Sequence, residues 1–142
     1  MSLHQLLHDN DFNLDVLDDV ICLYTLHPRK KQAVLGYLLP ILLSDDFFSI
    51  TQSTDEVSLM VSNKYQHEMS RLCNLSSMPD SYQALRVYQT SHGINELGVV
   101  SKLAKFFSDS GISILYVNSF NNNFILVPTS DMSRLVEVDY IV

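Results

Sequence analysis

The side chains that could do acid–base or metal chemistry are few, and they do not combine into a catalytic set. Ser91 and His92 are adjacent in the chain, but adjacent side chains diverge, and no third group is evident to orient the histidine. His4 and His8 have the spacing of one helix face, which would suit a metal ion, yet no third ligand accompanies them. Because there is no catalytic triad, metal constellation or phosphate loop, the sequence predicts that the protein is not an enzyme and uses neither cofactor nor metal.

Composition and charge narrow the classes of partner. The formal net charge of −7 argues against nucleic acid, because a phosphate backbone attracts basic surfaces. No apolar run is long enough to cross a bilayer, so we expect no membrane partner. The two cysteines, Cys22 and Cys73, lack metal-binding or redox spacing. Their scarcity, with the lack of a signal peptide, predicts a cytoplasmic protein.

The C-terminal half has the pattern of a β-α-β-β unit. Alternating side chains predict a strand over Tyr82–Gln89. A helix with an apolar face follows, and we expect Asn95 to cap it, with Gly98 in its first turn. Gly111 would end this helix in the left-handed conformation. The remaining predicted elements are strands at 112–117 and 124–127 around an asparagine turn at 121–123, a short helix near 131–136 and a last strand near 138–142.

The N-terminal half repeats this order of elements. A strand is predicted over 20–26, and a helix over 32–43 that Pro40 should kink or shorten. Strands at 47–52 and 57–61 follow it. The sequence therefore contains an internal repeat with a period of roughly half the chain.

Two further segments lie outside these repeats. A short helix is predicted within residues 1–10, where leucines recur at helical spacing. The acidic segment 11–19 fits either a sheet-edge segment or a packed extension, and the residues leave both open. The polar residues 63–81 are expected to join the two halves.

Two stretches of the C-terminal half, SHGINELGVVSKLAKFF and ISILYVNSFNNNFILV, resemble an ACT domain, a small-molecule-binding module of amino-acid metabolism. They are most similar to the repeats of the CASTOR-type cytosolic arginine sensors and of their short bacterial and fungal relatives. The resemblance implies an α+β, ferredoxin-like fold of tandem ACT repeats (βαββ units), with antiparallel sheets and helices on one face. The domains expected in this chain are an N-terminal extension at 1–19, a first ACT-like repeat at 20–75 and a second at 76–142.

The resemblance also implies a ligand site. In ACT domains the ligand lies between two repeats, beside the loop after the first strand and the end of the second strand. Amide groups at the helix start would suit a carboxylate, oxygens near Ser119 would suit an ammonium group, and Glu96 or Asn123 would contact a side chain. The positions that match the family's binding motifs are Ser91, His92, Gly93, Glu96, Leu97, Gly98, Val99, Ser119, Phe120 and Asn123.

One of these positions departs from the arginine sensors, which have an aspartate where this chain has Asn123. A neutral amide cannot neutralise a guanidinium group, so arginine is not implied as the ligand. A neutral or acidic amino acid, or no ligand, is equally admissible on the residues.

The function expected from the resemblance is that of a regulatory, amino-acid-binding ACT protein, acting as a sensor or effector-binding module. The alternative is a ligand-free protein–protein interaction or oligomerisation module. We expect either to form a homo-oligomer, a dimer, since a lone unit of this size buries little surface and exposes an edge strand, and the remaining face or edge is available to a second copy. The expected partners are therefore an amino acid, a second copy of the chain and a regulatory protein.

Overall fold

The computed structural model describes residues 3–9, 12–72, 74–75, 81–89, 98–119 and 122–138. The chain divides into two compact units. Asp19–Ser81 forms one, called the inserted unit below; Met1–Asp18 and Tyr82–Val142 together form the other, called the split unit. Strand β1 (Phe12–Leu26) crosses the boundary between Asp18 and Asp19, so it contributes residues to both units.

The inserted unit is a β-α-β-β-α-β arrangement. After the second part of β1 it contains α2 (Lys31–Leu42), β2 (Phe48–Gln52), β3 (Val57–Ser62), α3 (Gln66–Leu72) and β4 (Asn74–Leu75). Its strands are antiparallel, in the order β2-β3-β1-β4. This order of elements and strands is that of the ferredoxin-like fold.

Both helices of the inserted unit cover the same face of its sheet. Side chains alternate along a strand, so every second residue of β1 and β3 faces the helices. The helices reach this face with apolar residues at helical spacing. The buried cluster consists of Cys22, Tyr24, Leu26, Val34, Leu38, Ile41, Val57, Leu59, Val61 and Met69.

Helix α3 and strand β4 lie where the sequence predicted only a polar connection over 63–81, so that prediction was wrong. The helix and the 3-10 turn just before it share a sparse apolar stripe at the i, i+4 and i+7 positions. Met69 is buried in the core, and Tyr65 and Leu72 are partly buried against it. Polar residues occupy the other faces. The composition of this segment is therefore as polar as that of a linker. The helix is indicated only by the few apolar residues that lie on one face.

The split unit has its own sheet and helices. Its elements are α1 (Leu3–Asp9), the first part of β1, β5 (Tyr82–Gln89), α4 (Val99–Asp109), β6 (Leu115–Asn118), β7 (Asn123–Pro128) and α5 (Met132–Val138). The strand order is β1-β5-β7-β6, and β7 is antiparallel to both of its neighbours. Its core is formed by Leu3, Leu6, Phe12, Leu85, Val87, Leu103, Phe106, Phe107, Ile112, Ile125, Val127 and Leu135. The predicted α+β class, with antiparallel strands and helices packed on one sheet face, is confirmed in both units.

The acidic segment whose place the sequence left open forms the first part of β1. Phe12 is buried in the core of the split unit. The side-chain amide of Gln83 donates a hydrogen bond to the Leu17 carbonyl oxygen, and Asp15 Oδ2 lies 2.6 Å from Arg86 Nη2. These contacts attach the segment to β5 at the edge of the sheet.

The ends of several elements differ from the sequence predictions. Helix α4 begins at Val99 with Gly98 as its N-cap, so Gly98 does not lie in the first turn, and Asn95 lies outside the described residues. Pro40 is inside α2 without ending it, because the helix continues to Leu42. Val138 is the last residue of α5, and the rest of the predicted final strand, 139–142, lies outside the described residues. Among the helices that are described, none has the length and apolar character to cross a membrane.

Candidate functional site

Asn123 is a buried polar residue of the split unit. It is the first residue of β7 rather than part of the preceding turn, which corrects the sequence prediction. Its Cα lies opposite Val87 of β5 and Asn118 of β6. Residues directly opposite in a ladder share a sheet face, and Val87 belongs to the core under the helices. The Asn123 side chain therefore lies on the helix-covered face of the sheet.

The carboxamide of Asn123 is buried without a complete set of hydrogen bonds. The residue is only 2% exposed, and its Oδ1 finds no hydrogen-bond donor among the residues that the structure describes. A buried acceptor without a donor costs about 1–3 kcal/mol. Such a cost is commonly retained where the group serves a ligand, an ion or an ordered water.

The start of α4 supplies donors without side-chain caps. Gly98 is the N-cap, with φ of 83° in the left-handed region, and its carbonyl oxygen accepts the amide of Lys102 at 3.0 Å. Glycine has no side chain with which to accept the first-turn amides, which have no acceptor inside the helix. These amides and the helix dipole together favour a negatively charged group at this end.

The connections place Asn123 and Gly98 at the same end of the split unit. Asn123 lies opposite Val87, close to the end of β5, and the chain then passes through residues 90–97 to the start of α4. The end of α4 leads into β6, whose first residue, Leu115, lies opposite Leu126. The helix therefore runs from the Asn123 end of the sheet towards the Leu126 end.

Ser119 lies at this end too, in the turn between β6 and β7. Its amide donates to the Asn122 carbonyl oxygen at 2.9 Å, and its hydroxyl reaches the same oxygen at 3.4 Å. The residue is exposed. The hydroxyl can exchange this long bond for a contact with a ligand.

The structure thus places Gly98, Ser119, Asn123 and the backbone of Val99 at the same end of the split unit. The side chain of Val99 is not among those described, and the other predicted site positions lie outside the described residues: Ser91, His92, Gly93, Glu96, Leu97 and Phe120. Within the described ranges, no group of three or more histidine, cysteine, aspartate or glutamate residues is arranged to hold a metal ion.

Sequence reasoning missed a charged cluster on the other face of the same sheet. Arg86 Nη2 contacts Asp15 Oδ2 at 2.6 Å, the Tyr88 hydroxyl lies 3.4 Å from Asp15 Oδ1, and the Arg86 guanidinium lies 4.9 Å from the centre of the Tyr88 ring. Arg86 alternates with the core residues Leu85 and Val87, so it faces away from α4. Asp15 is too distant in the chain for a local pattern to reveal the pair, although the alternation of β5 indicates the face of Arg86.

Comparison with known proteins supports the family resemblance. Residues 77–138 match the family described as ACT domain, so the ACT resemblance is confirmed for this part of the chain. The "Cytosolic arginine sensor for mTORC1 subunit 1" of Homo sapiens is 24% identical over 135 residues, covering 82% of this chain and 41% of the sensor. The chain therefore spans about two fifths of the length of the curated relatives that it matches.

Solved structures share the fold at low sequence identity. A protein from Agrobacterium tumefaciens superposes with a TM-score of 0.66 at 19% identity, covering 89% of this chain and 85% of that one. The ligand-free regulatory subunit of aspartate kinase from Thermus thermophilus superposes with a TM-score of 0.61 at 11% identity, covering 88% of this chain and 93% of that subunit. At these identities the likeness concerns the fold alone.

Proposed function

We propose that this chain, whose residues 77–138 match the ACT domain family, is a regulatory module that binds an amino acid and catalyses no reaction. The observation that carries the proposal is the buried Asn123 Oδ1, which lacks a donor among the described residues at the sheet end where α4 begins. A costly buried acceptor at the end of the sheet where α4 begins, together with a helix start that has no side-chain cap, would supply the elements of a binding site for a zwitterion.

The two ends of an amino acid match these two features. The first-turn amides of α4 would bind the α-carboxylate, because a helix start favours anions. The Asn123 Oδ1, which has two lone pairs, would accept hydrogen bonds from the α-ammonium group and from a side-chain donor of the ligand, and Ser119 would add a hydroxyl oxygen. We propose that the loop residues Ser91, His92, Gly93, Glu96, Leu97 and Phe120 complete the wall around the ligand, with Val99 at the helix start and without cofactor or metal.

The neutral carboxamide bears on which amino acid is bound. The human relative is named as an arginine sensor, and a guanidinium group pairs best with a carboxylate. Asn123 supplies no charge, so we expect neutral amino acids to bind more tightly than arginine.

Regulation would follow from differential binding. A ligand shifts an equilibrium only by its difference in affinity for the two states. We propose that the amino acid stabilises one oligomeric or partner-binding state of a cytoplasmic protein. The partner would be a second copy of the chain or a regulatory protein.

A thermal-shift screen of the twenty amino acids tests the proposal, followed by calorimetry on any ligand found. At a hundredfold excess over its dissociation constant, a ligand adds about 2.7 kcal/mol to stability. We expect one or a few amino acids to raise the melting temperature of the wild type, and the Asn123→Leu variant to lose that shift. Asn63→Leu, an exposed asparagine of the inserted unit, is the control and should keep it. A screen without any shift, or an unchanged shift in Asn123→Leu, would contradict the proposal.

A ligand-free interaction module is the second candidate. It is favoured by a separate observation, an apolar groove between α2 and β2 of the inserted unit, which is lined by Leu35, Leu39, Leu42, Phe48 and Ile50. That groove does not involve the residues proposed to bind the amino acid.

A further inference from the structure

The groove between α2 and β2 is apolar along its whole length. One wall is a row of leucines on α2, which are 53% to 64% exposed, and the other wall is formed by Phe48 and Ile50 of β2. We call it the α2–β2 groove, and it is lined by Leu35, Gly36, Leu38, Leu39, Leu42, Phe48 and Ile50. None of these side chains has a hydrogen-bonding group. An apolar surface of this kind usually has a binding role.

The size of the groove suits a small molecule. Its volume is about 480 Å³, and sites for small ligands have volumes of roughly 300–1,000 Å³. From Lys31 to Leu42, α2 extends about 17 Å at 1.5 Å per residue. This length is similar to that of an extended chain of roughly twelve carbons.

Gly36 lines the groove although no described neighbour requires a glycine there. It lies inside α2 in a helical conformation, where glycine is less favourable than alanine. A Cβ at this position would have no heavy atom within 4 Å outside its own stretch of helix. The missing side chain therefore leaves the α2 backbone open to close approach by a group that lies in the groove.

Positive charge lies at one end of the groove. Lys31 is four residues before Leu35, so it extends the leucine row by one helical turn, and its Nζ donates to Gln52 Oε1 of β2 at 2.7 Å. Arg29 and Lys30 precede it and are exposed. Within the ranges that the structure describes, none of these three cations forms an ion pair.

An anion at this end would compensate two unfavourable features of α2. Cations beside a helix start oppose the helix dipole, and the N-cap residue Lys30 supplies no side-chain hydrogen bond to the first turn. The opposite end has the reverse charge, since Asp45 is exposed just beyond the end of α2. An amphiphilic anion would therefore lie with its head beside Lys31 and its tail towards Leu42.

We propose that the α2–β2 groove binds a free fatty acid, with the carboxylate beside Lys31 and the alkyl chain along Leu35 and Leu39. The alkyl chain needs no hydrogen-bond partner, and Gly36 lets it pass close to the helix backbone. A lipid bilayer fits less well, because the net charge of −7 repels an anionic membrane surface. The fatty-acid site shares no residue with the proposed amino-acid site.

Calorimetric titration of the full chain with dodecanoate, below its critical micelle concentration, tests the groove. We expect one dodecanoate to bind per chain with a micromolar dissociation constant, and Leu39→Gln to weaken binding tenfold or more. Tyr37→Gln is the matched control and should bind as the wild type does, because Tyr37 is 53% exposed on the same helix but does not line the groove. No binding to the wild type, or equal effects of the two substitutions, would overturn the proposal.

Gly36→Leu tests the close approach to the helix backbone. The new side chain should occupy the groove and abolish dodecanoate binding. It should leave the circular dichroism spectrum unchanged, because no described neighbour lies where the Cβ would be. A folded Gly36→Leu variant that binds dodecanoate as tightly as the wild type would contradict the proposed position of the alkyl chain.

The ligand itself can be varied to test its head and its tail. Dodecyltrimethylammonium should bind at least tenfold more weakly than dodecanoate, and Lys31→Glu should reverse that order. Decanoate should bind about tenfold more weakly than dodecanoate, since each buried methylene contributes about fourfold. Equal affinities for the anionic and the cationic head would contradict the role of Lys31, and tighter binding to anionic phosphatidylglycerol vesicles than to dodecanoate would show a membrane-binding surface instead.

The fatty-acid site and the amino-acid site can fail independently. Asn123→Leu should bind dodecanoate as the wild type does, and Leu39→Gln should keep any thermal shift induced by an amino acid. A wild type that ignores dodecanoate but loses self-association or a protein partner in Leu39→Gln would identify the groove as a protein interface, and the fatty-acid proposal would be wrong.

Discussion

Arg134 lies against Gly111 at the end of α4, so a side chain on Gly111 would have to displace the guanidinium group slightly. Its Nη1 donates to the Gly111 carbonyl oxygen at 3.3 Å, and its Nη2 would lie 3.2 Å from a Cβ at Gly111. Gly111 has φ of 71°, and its amide and that of Ile112 donate to carbonyl oxygens in the last turn. Gly111 is thus the left-handed glycine that follows the C-cap Ser110, as the sequence predicted. The contact with Arg134 was not predicted.

We expect Gly111→Ala to lower the free energy of unfolding more than Gly98→Ala. The left-handed conformation costs either alanine about 1–2 kcal/mol. Only Gly111 also faces a close neighbour, since a Cβ at Gly98 would meet Lys102 Cε at 3.9 Å. Urea denaturation of both variants gives the comparison, and the difference should shrink in an Arg134→Ala background. Equal losses in the presence of Arg134 would contradict this account of the contact.

The carboxylate of Asp46 should make stability fall in acid. Its pKa is lowered by hydrogen bonds from Lys64 and then from Tyr65, whose atoms lie 2.5 Å and 2.6 Å away. A carboxyl group with a lowered folded pKa stabilises the protein above its unfolded pKa, and the contribution is lost as the pH falls through the folded value. We expect Asp46→Asn to flatten the dependence of unfolding free energy on pH below about 4.

The neighbouring Asp45 provides the control for that measurement. It is exposed and takes no part in the contacts of Asp46 with Lys64 and Tyr65, so Asp45→Asn removes one carboxylate while those contacts remain. In the alkaline pH range the lysine of the same pair titrates, and its hydrogen bond to Asp46 raises the pKa of Lys64. The stabilisation that Lys64 contributes should accordingly persist in mild alkali and decline only above the ordinary lysine pKa. Identical acid profiles for wild type and Asp46→Asn would show that the pair does not affect folding.

Replacing Asn123 by leucine should change stability and binding in opposite directions. Leucine has a similar size and removes the buried acceptor that lacks a donor among the described residues. We expect the ligand-free protein to gain about 1 kcal/mol of unfolding free energy while the amino-acid-induced shift disappears. Chemical denaturation without ligand measures the first effect. A loss of stability would mean that the carboxamide is satisfied in the folded protein.

Asn123→Asp tests whether charge at this position selects the ligand. The buried carboxylate should lower the stability of the ligand-free protein by about 2 kcal/mol or more. A basic side chain would compensate that charge, so the preference should shift towards arginine and lysine. Calorimetric affinities for one neutral and one basic amino acid give the ranking. An unchanged ranking would remove Asn123 from the residues that read the side chain.

Replacing Met69 by alanine tests the packing of α3, because it should lower the free energy of unfolding. Met69 is 1% exposed and contacts the core of the inserted unit, and removing a buried methionine side chain costs about 2–5 kcal/mol. Glu68→Ala, at the exposed neighbouring position, should change the unfolding free energy by less than about 0.5 kcal/mol. Similar small effects of both substitutions, measured by urea denaturation, would contradict the packing of this helix.

Local patterns predicted some of these elements well. The alternation in Tyr82–Gln89 predicted both ends of β5, and Gly111 predicted the end of α4. Both signals act within a few residues. The predicted ligand contacts, by contrast, were carried by family resemblance, and most of them lie outside the described residues, so they stay predictions.

The sequence by itself determined the α+β class and the repeated order of elements, because periodicity and turn residues are local properties of the chain. The ACT resemblance came from the likeness of two stretches to a known family. Only the tertiary structure decided that residues 12–18 join the sheet of the split unit and that α3 packs into a core. It alone revealed that Asn123 is buried and that Leu35, Leu39 and Leu42 are not. Burial depends on which strands and helices pack against each other, and that packing is determined by residues that are far apart in the chain.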